Sequence, residues 1–167
     1  TRIVLDHRRA AELTLRHLYQ LGHRHIAFMR GQPFSSDSDD RWRSLMAVAR
    51  ELNLTVRPEL VVQLEQNLSS PELGYPVAAW LLGQKCPFTA VVSYNDIAAI
   101  GAIRSFRDHG LRVPEDVSVI GFDDIQAAAF HTPSLTTIRQ PLNSMGNTAA
   151  RILLGRIRSR KDYPEEV

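Results

Sequence analysis

FTAVVSYNDIAAIGAIRSFRDHGLRVPEDVSVIGFDD, residues 88–124, decides how this chain folds. Phe88 to Ser93 is a short apolar run rich in β-branched residues, bounded by Pro87 before and Asn95-Asp96 after. Such a run fits a strand buried on both faces, as in a parallel sheet. Asn95 or Asp96 can cap the helix that follows. Ile97, Ile100, Ile103 and Phe106 give that helix a broad apolar face, and Gly110 stops it. Val113-Pro114-Glu115-Asp116 is a polar connector, Val117 to Phe122 a second buried strand, and Asp123-Asp124 closes it. Both strands therefore end in polar side chains. In an open parallel sheet the crevice beyond the carboxyl ends of the strands is where ligands bind. Asn95 and Asp123 side by side on that edge would offer an amide and a carboxylate, tools for gripping hydroxyl or amine groups. The alternative is that all four polar residues only cap helices.

Working outward, the same alternation continues. Arg2 to Leu5 resembles the end of a strand, and Asp6 caps a helix with Leu13, His17 and Leu21 among its apolar-face positions, ended by Gly22. His25 to Met29 is the next buried strand. Arg30 to Asp40 reads as a crevice-side loop, rich in Gly, Pro, Ser and Asp. Its Asp37, Asp39 and Asp40 invite a metal reading, but carboxylates at a helix start stabilise the exposed amides without any metal. A helix from Arg41 to Leu52 places Arg41 in its first turn, where a cation is unfavourable unless it has another task. Leu60 to Leu64 is a strand, followed by a helix that starts near Pro71 or near Pro76 and runs to Gly83. Beyond Asp124 come a short alanine-rich helix to Phe130, a turn at His131 to Ser134 and an extended segment to Gln140. An amphipathic helix opens at Pro141, with Leu142, Met145, Ala149, Ile152 and Leu153 on one face.

The bulk properties limit the functions open to the chain. The 167 residues, 44% apolar and 23% charged, suit one α/β domain. No run approaches the ~18 apolar residues of a membrane span. The lone Cys86 excludes an internal disulfide and gives no zinc spacing, which favours the cytoplasm. A net charge of +2 is too mild to argue for nucleic acid. The densest basic cluster, Arg156, Arg158, Arg160 and Lys161, reads as a solvated helix end. No cofactor and no metal are expected.

The segments LGHRHIAFMRG, SYNDIAAIGAI, LRVPEDVSVIGFDD and PSLTTIRQP resemble, in order and spacing, successive motifs of the LacI/GalR family of bacterial transcriptional repressors, in its effector-binding domain. The resemblance implies an open parallel sheet with helices on both faces, a periplasmic-binding-protein-like lobe. Residues 1–140 would form the C-terminal lobe. Residues 141–167 would be a crossover helix and tail belonging to the other, mostly absent lobe, with no DNA-binding head and no final returning strand. Without its lobe, the apolar face of that helix would have to dock elsewhere, swap between chains or pack on a partner copy. The resemblance also assigns roles. Arg41, in the pattern Arg41-Trp42-Arg43, would reach into the cleft, and Asn95, Asp123 and Gln140 would face a small-molecule effector. Family members often place an aromatic ring where this chain has Ser69, beside Leu68; Phe34 in the earlier loop is the candidate to replace it. Homodimerisation would run through Ile100 and Phe130 with Ile103, the alternative for each being plain core packing.

Three functions compete. The first is an effector-sensing module that modulates operator binding by a dimer through an N-terminal head outside this chain. The second is a periplasmic sugar-binding protein of a transporter. The third, an enzyme, lacks the expected signatures: no G-x-G-x-x-G follows the first strand, and there is no Walker-type phosphate loop and no G-x-S-x-G elbow.

Overall fold

The computed structural model describes residues 1–65, 70–159, 164, 165 and 167. Two compact units divide the chain: His7–Ile138, and Thr1–Asp6 together with Arg139–Val167. The first six residues thus group with the terminal segment.

The larger unit alternates helix and strand as the sequence implies. Its elements are α1 (His7–Gln20), β1 (Ile26–Arg30), α2 (Ser36–Glu51), β2 (Val61–Gln63), α3 (Tyr75–Gly83), β3 (Ala90–Val92), α4 (Asp96–Asp108), β4 (Ser118–Asp123), α5 (Gln126–Phe130) and β5 (Thr136–Arg139). The sheet order is β2-β1-β3-β4-β5. The pairs β1–β2, β1–β3 and β3–β4 are parallel, in registers that set Arg30 opposite Gln63 and Val92 opposite Ile120. Strand side chains alternate between two cores. Ala27, Met29, Val91 and Val119 pack with Ala102, Ile103 and Phe106 of α4 and Leu81 of α3. Ile26, Phe28, Val92 and Ile120 pack with Leu15 of α1 and Val48 of α2. Helices therefore cover both faces, as expected for strands that are apolar throughout.

The helix boundaries correct several expectations. α2 starts at Ser36, not Arg41, because Ser35 is extended and its hydroxyl accepts from the Ser38 N–H at 3.4 Å, with Asp37 and Asp39 in the first turn. Residues that read as loop are a cap and its acidic first turn. The two candidate helix starts after β2 are separate elements. Ser70 caps a single 3-10 turn, Pro71–Leu73, and α3 begins at Tyr75 with Pro76 in its first turn, where the missing N–H costs nothing. Leu60 leaves the expected strand for a 3-10 turn, Pro58–Leu60. Gly22 (φ +93°) and Gly110 (φ +83°) end α1 and α4 as expected.

α3 and α4 meet at bare backbone. A Cβ added to Gly101 would lie 1.8 Å from the Pro71 carbonyl oxygen, and one added to Gly74 would lie 1.8 Å from the Ala98 carbonyl oxygen. Side chains would hold the two helices apart, so this reciprocal glycine contact fixes how closely they cross.

In the smaller unit, α6 (Leu142–Ser159) is the predicted amphipathic helix, but none of its residues from 142 to 158 is buried. Leu142 and Leu153 are each 60% exposed and Ile157 70%. Among the described residues its apolar face is left exposed. Within the same unit the chain ends bridge. Arg2 N–H donates to Glu165 O at 2.5 Å, Val167 N–H to Arg2 O at 2.9 Å, and Val4 N–H to Val167 O at 3.0 Å. Arg160 and Lys161 of the basic cluster lie outside the described residues, as do Leu68 and Ser69.

Candidate functional site

The carboxyl ends of β1, β2, β3 and β4 bring Arg30-Gly31, Gln63, Ser93 to Asn95, and Asp123-Asp124 to one edge of the sheet. Arg41 ties that edge together from α2. Its Nη1 donates to the Tyr94 carbonyl oxygen at 2.6 Å, and its guanidinium lies 3.7 Å from the Phe122 ring centre and 4.6 Å from that of Tyr94. Arg41 therefore touches the immediate neighbours of Asn95 and of Asp123, so three of the predicted ligand residues converge. Gln140 belongs to the smaller unit. Phe34 sits in the turn before α2, 73% exposed, and does not cover the core.

Arg41 needs two corrections. It lies in the second turn of α2, where Asp37, one turn earlier, pairs with it at 3.2 Å. Its side chain is only 12% exposed and sandwiched between two rings, so it braces the crevice wall rather than reaching into open space. Such a site uses the flat face of the guanidinium as well as its charge, which an ammonium cannot copy. Arg41→Lys is expected to lower stability by about 1–2 kcal/mol, read as a shift in the urea midpoint.

The acidic cluster is engaged by cations. Asp37 accepts from His7 Nε2 at 2.9 Å as well as from Arg41; Asp39 faces Arg30 at 3.7 Å; Asp40 pairs with Arg43. The carboxylates stabilise the start of α2 and position arginines, and among the described residues no group of three metal-ligating side chains forms.

Asn95 is the N-cap of α4: its Oδ1 accepts from the Ala98 N–H at 2.8 Å. That commits its oxygen to the cap, and the amide NH2 is the part of the side chain that can donate. Asp123 and Asp124 have φ of +123° and +60°, unusual for residues with a Cβ. Such backbone costs about 1–3 kcal/mol per residue and persists where surrounding contacts over-determine it. Asp96, which the sequence offers only as a possible cap, supplies them. It is wholly buried, its Oδ1 accepts from the Thr137 hydroxyl at 2.5 Å and its Oδ2 from the Ile125 N–H at 2.9 Å. A Cβ on Gly121 would fall 2.2 Å from its Oδ1. Burial pushes the Asp96 carboxyl above the usual carboxylate range, against the pull of its hydrogen-bond donors.

Sequence reading missed a further group. Arg30 Nε, Arg41 Nε and Gln63 Nε2, with the Nδ1 ring nitrogen of His7, are buried and have no hydrogen-bond partner. An orphaned buried polar atom costs about 1–3 kcal/mol, and these four gather at the crevice end of the sheet. The adjoining cavity, lined by Phe28, Trp42, Leu45, Tyr94, Phe122 and Arg41, measures about 30 Å³. That is room for a water or two, so this edge is a wall rather than a closed pocket. A larger hollow of about 250 Å³, lined by Leu21, Val113 and Pro133 among others, opens at the other end of the strands, away from every predicted ligand residue. Of the predicted dimer residues, Phe130 is 80% exposed and Ile100 half-buried. Ile103 is 1% exposed and belongs to the core, which removes it from any surface.

A doubly covered parallel sheet with polar groups concentrated at its carboxyl edge defines a class: an open α/β fold of the kind that takes ligands beyond its strand ends. The sequence profile of the periplasmic binding protein-like domain family matches residues 15–167, and the chain belongs to that family. It is 40% identical over 152 residues to the HTH-type transcriptional repressor PurR of Yersinia pestis, covering 91% of this chain and 44% of the repressor. The chain thus spans less than half the length of the curated relatives it matches. A LacI-family regulator from Enterococcus faecium, solved with bound ribose, superposes with a TM-score of 0.82 at 30% identity, over 98% of this chain and 59% of that one. A LacI-type regulator from Bacillus cereus subsp. cytotoxis gives 0.91 at 23% identity, over 100% and 58%, and shares the fold. The likeness to LacI/GalR effector-binding domains therefore holds beyond the motifs, and these relatives are transcriptional regulators rather than enzymes.

Proposed function

We propose that this chain is the effector-sensing lobe of a LacI/GalR-type transcriptional regulator. The observation that carries the reading is the gathering of orphaned buried polar atoms on Arg30, Arg41, Gln63 and His7 at the crevice edge, beside the strained Asp123-Asp124. Hydrogen-bonding groups left unsatisfied where a ligand would sit are a cost to the empty fold and a gain on binding. The effector is a small sugar-like or nucleobase-like molecule. Asn95 donates to it and Asp123 accepts from its hydroxyl or amine groups, while Arg41 holds the wall in shape. Phe34 offers an exposed ring, and Gln140, in the smaller unit, is carried by the family resemblance alone. Binding alters a lobe geometry that a distant DNA-reading head responds to, a coupling between two sites through two global states. The regulator is cytoplasmic and dimeric, and Ile100 and Phe130 are the contacts between copies.

The test is a thermal-shift screen of sugars and nucleobases on the full-length gene product, because a ligand selective for the folded state raises its stability by mass action. Asp123→Asn is expected to weaken the best ligand by roughly tenfold or more, one charge-assisted hydrogen bond, with little change in the unfolding midpoint of the unliganded protein. No shift with any compound, or an unaltered affinity in Asp123→Asn, rejects the reading. The family description also fits a transporter's periplasmic sugar-binding protein. A helix-turn-helix encoded upstream favours the regulator, and a secretion signal favours the transporter component.

A further inference from the structure

The β1–β2 end of the crevice edge holds a pair of side chains that Arg41, Asn95 and Asp123 do not involve. Arg30 and Gln63 are the last residues of their strands and stand opposite one another in the parallel ladder. The two-residue alternation puts both on the face that carries Phe28 and Val61, beside α2. Each presents a buried N–H without an acceptor, Arg30 through Nε and Gln63 through Nε2. Asp39 forms an ion pair with Arg30 Nη2 at 3.7 Å, longer than a hydrogen bond, so it does not satisfy the Nε donor. The guanidinium lies over the Trp42 ring at 4.8 Å, and the side chain is 29% exposed although its Nε is buried, so a ligand oxygen meets the side chain at the rim and reaches Nε only by entering the wall.

We infer that Arg30 and Gln63 form a subsite for an anionic oxygen group of the effector, a carboxylate or a phosphoryl group. This rests on the effector-sensing reading and narrows it to an acidic or phosphorylated small molecule. A guanidinium and an amide side by side supply donors with a single positive charge between them. A carboxylate or phosphoryl group has several acceptor oxygens and the opposite charge, and a fixed guanidinium fork matches its geometry. A neutral hydroxyl would satisfy one donor and could not match the paired geometry of the fork.

The experiment is calorimetric titration of the full-length gene product with matched probes: D-glucose, D-gluconate and glucose 6-phosphate, then D-ribose and ribose 5-phosphate. Wild type is expected to bind a charged member at least tenfold more tightly than its neutral parent. The gluconate and phosphate arms tell which anion is meant. Arg30→Met should abolish that preference and Gln63→Leu should reduce it severalfold. Arg30→Lys, which keeps the charge and loses the fork, should fall between and guards against a variant that fails to fold. Equal affinity for charged and neutral probes overturns the subsite and leaves the effector reading standing. Charged-probe affinity unchanged in Arg30→Met and Gln63→Leu also overturns it, because the two donors then serve only the fold. Silence from every probe overturns the subsite, while the effector reading is decided by the wider screen of sugars and nucleobases.

Discussion

Gly101→Ala is expected to lower the stability of the larger unit by roughly 3 kcal/mol or more, the upper range for overpacking a filled interior. The new methyl would stand 1.8 Å from the Pro71 carbonyl oxygen. That neighbour is backbone, so no rotamer change relieves the clash, and Pro71 opens the 3-10 turn leading into α3. The two helices would have to separate, loosening the core around Ile103, Phe106 and Leu81. Gly83→Ala, at the end of α3 with no atom near its added Cβ, is the control. Ala is the better helix former, so that change should be neutral or stabilising by up to about 1 kcal/mol. Urea unfolding of both variants decides the matter, and equal midpoints would show that the α3–α4 crossing has slack.

Asp96→Ala should cost a similar amount, about 3 kcal/mol, since it strands two buried donors, the Ile125 N–H and the Thr137 hydroxyl. Its consequences reach the site, because those bonds hold the backbone around Asp123 and Asp124 in its unusual conformation. Asp96→Asn separates shape from charge through pH. Burial raises the folded-state value of the Asp96 carboxyl above its unfolded one, with Asp124 adding a like-charge push. The folded protein then holds a proton that the unfolded chain releases. The Asp96 contribution is therefore fullest below the ordinary Asp range and declines as pH rises through the folded-state value. The deficit of Asp96→Asn relative to wild type should shrink as pH is raised through that window. A deficit that instead grows with pH would mean that the carboxylate is better stabilised folded than unfolded.

Much of this was readable before any coordinates. The largely apolar runs at Phe88–Ser93 and Val117–Phe122 announced parallel strands, because strands covered on both faces leave no place for a polar stripe, and β3 and β4 form within them or overlap them. Asn95-Asp96 before an apolar helix announced a cap from one or the other, and the structure gives it to Asn95. What stayed hidden were relations between distant residues. Ser36 to Asp40 looked like a loop because the residues that cap helices are those that make loops, and only the Ser35–Ser38 hydrogen bond separates the two. Arg41 had an evident need for a partner, but the partner is a main-chain oxygen, that of Tyr94, 53 positions away, and a carbonyl leaves no trace in a sequence. Ile100 and Ile103 lie on one helical stripe, and periodicity cannot say that the first is half-buried and the second sealed in the core.

The sequence by itself determined the layered α/β plan, the edge on which polar residues gather and the domain family, since burial pattern and caps are local properties of the chain. Tertiary structure alone decided that Asp96 anchors the site, that Arg41 is a brace between aromatic rings, and that Arg30 stands beside Gln63 with an unanswered donor on each. Those outcomes depend on strand register and on which groups lose water together, and neither exists until remote segments pack.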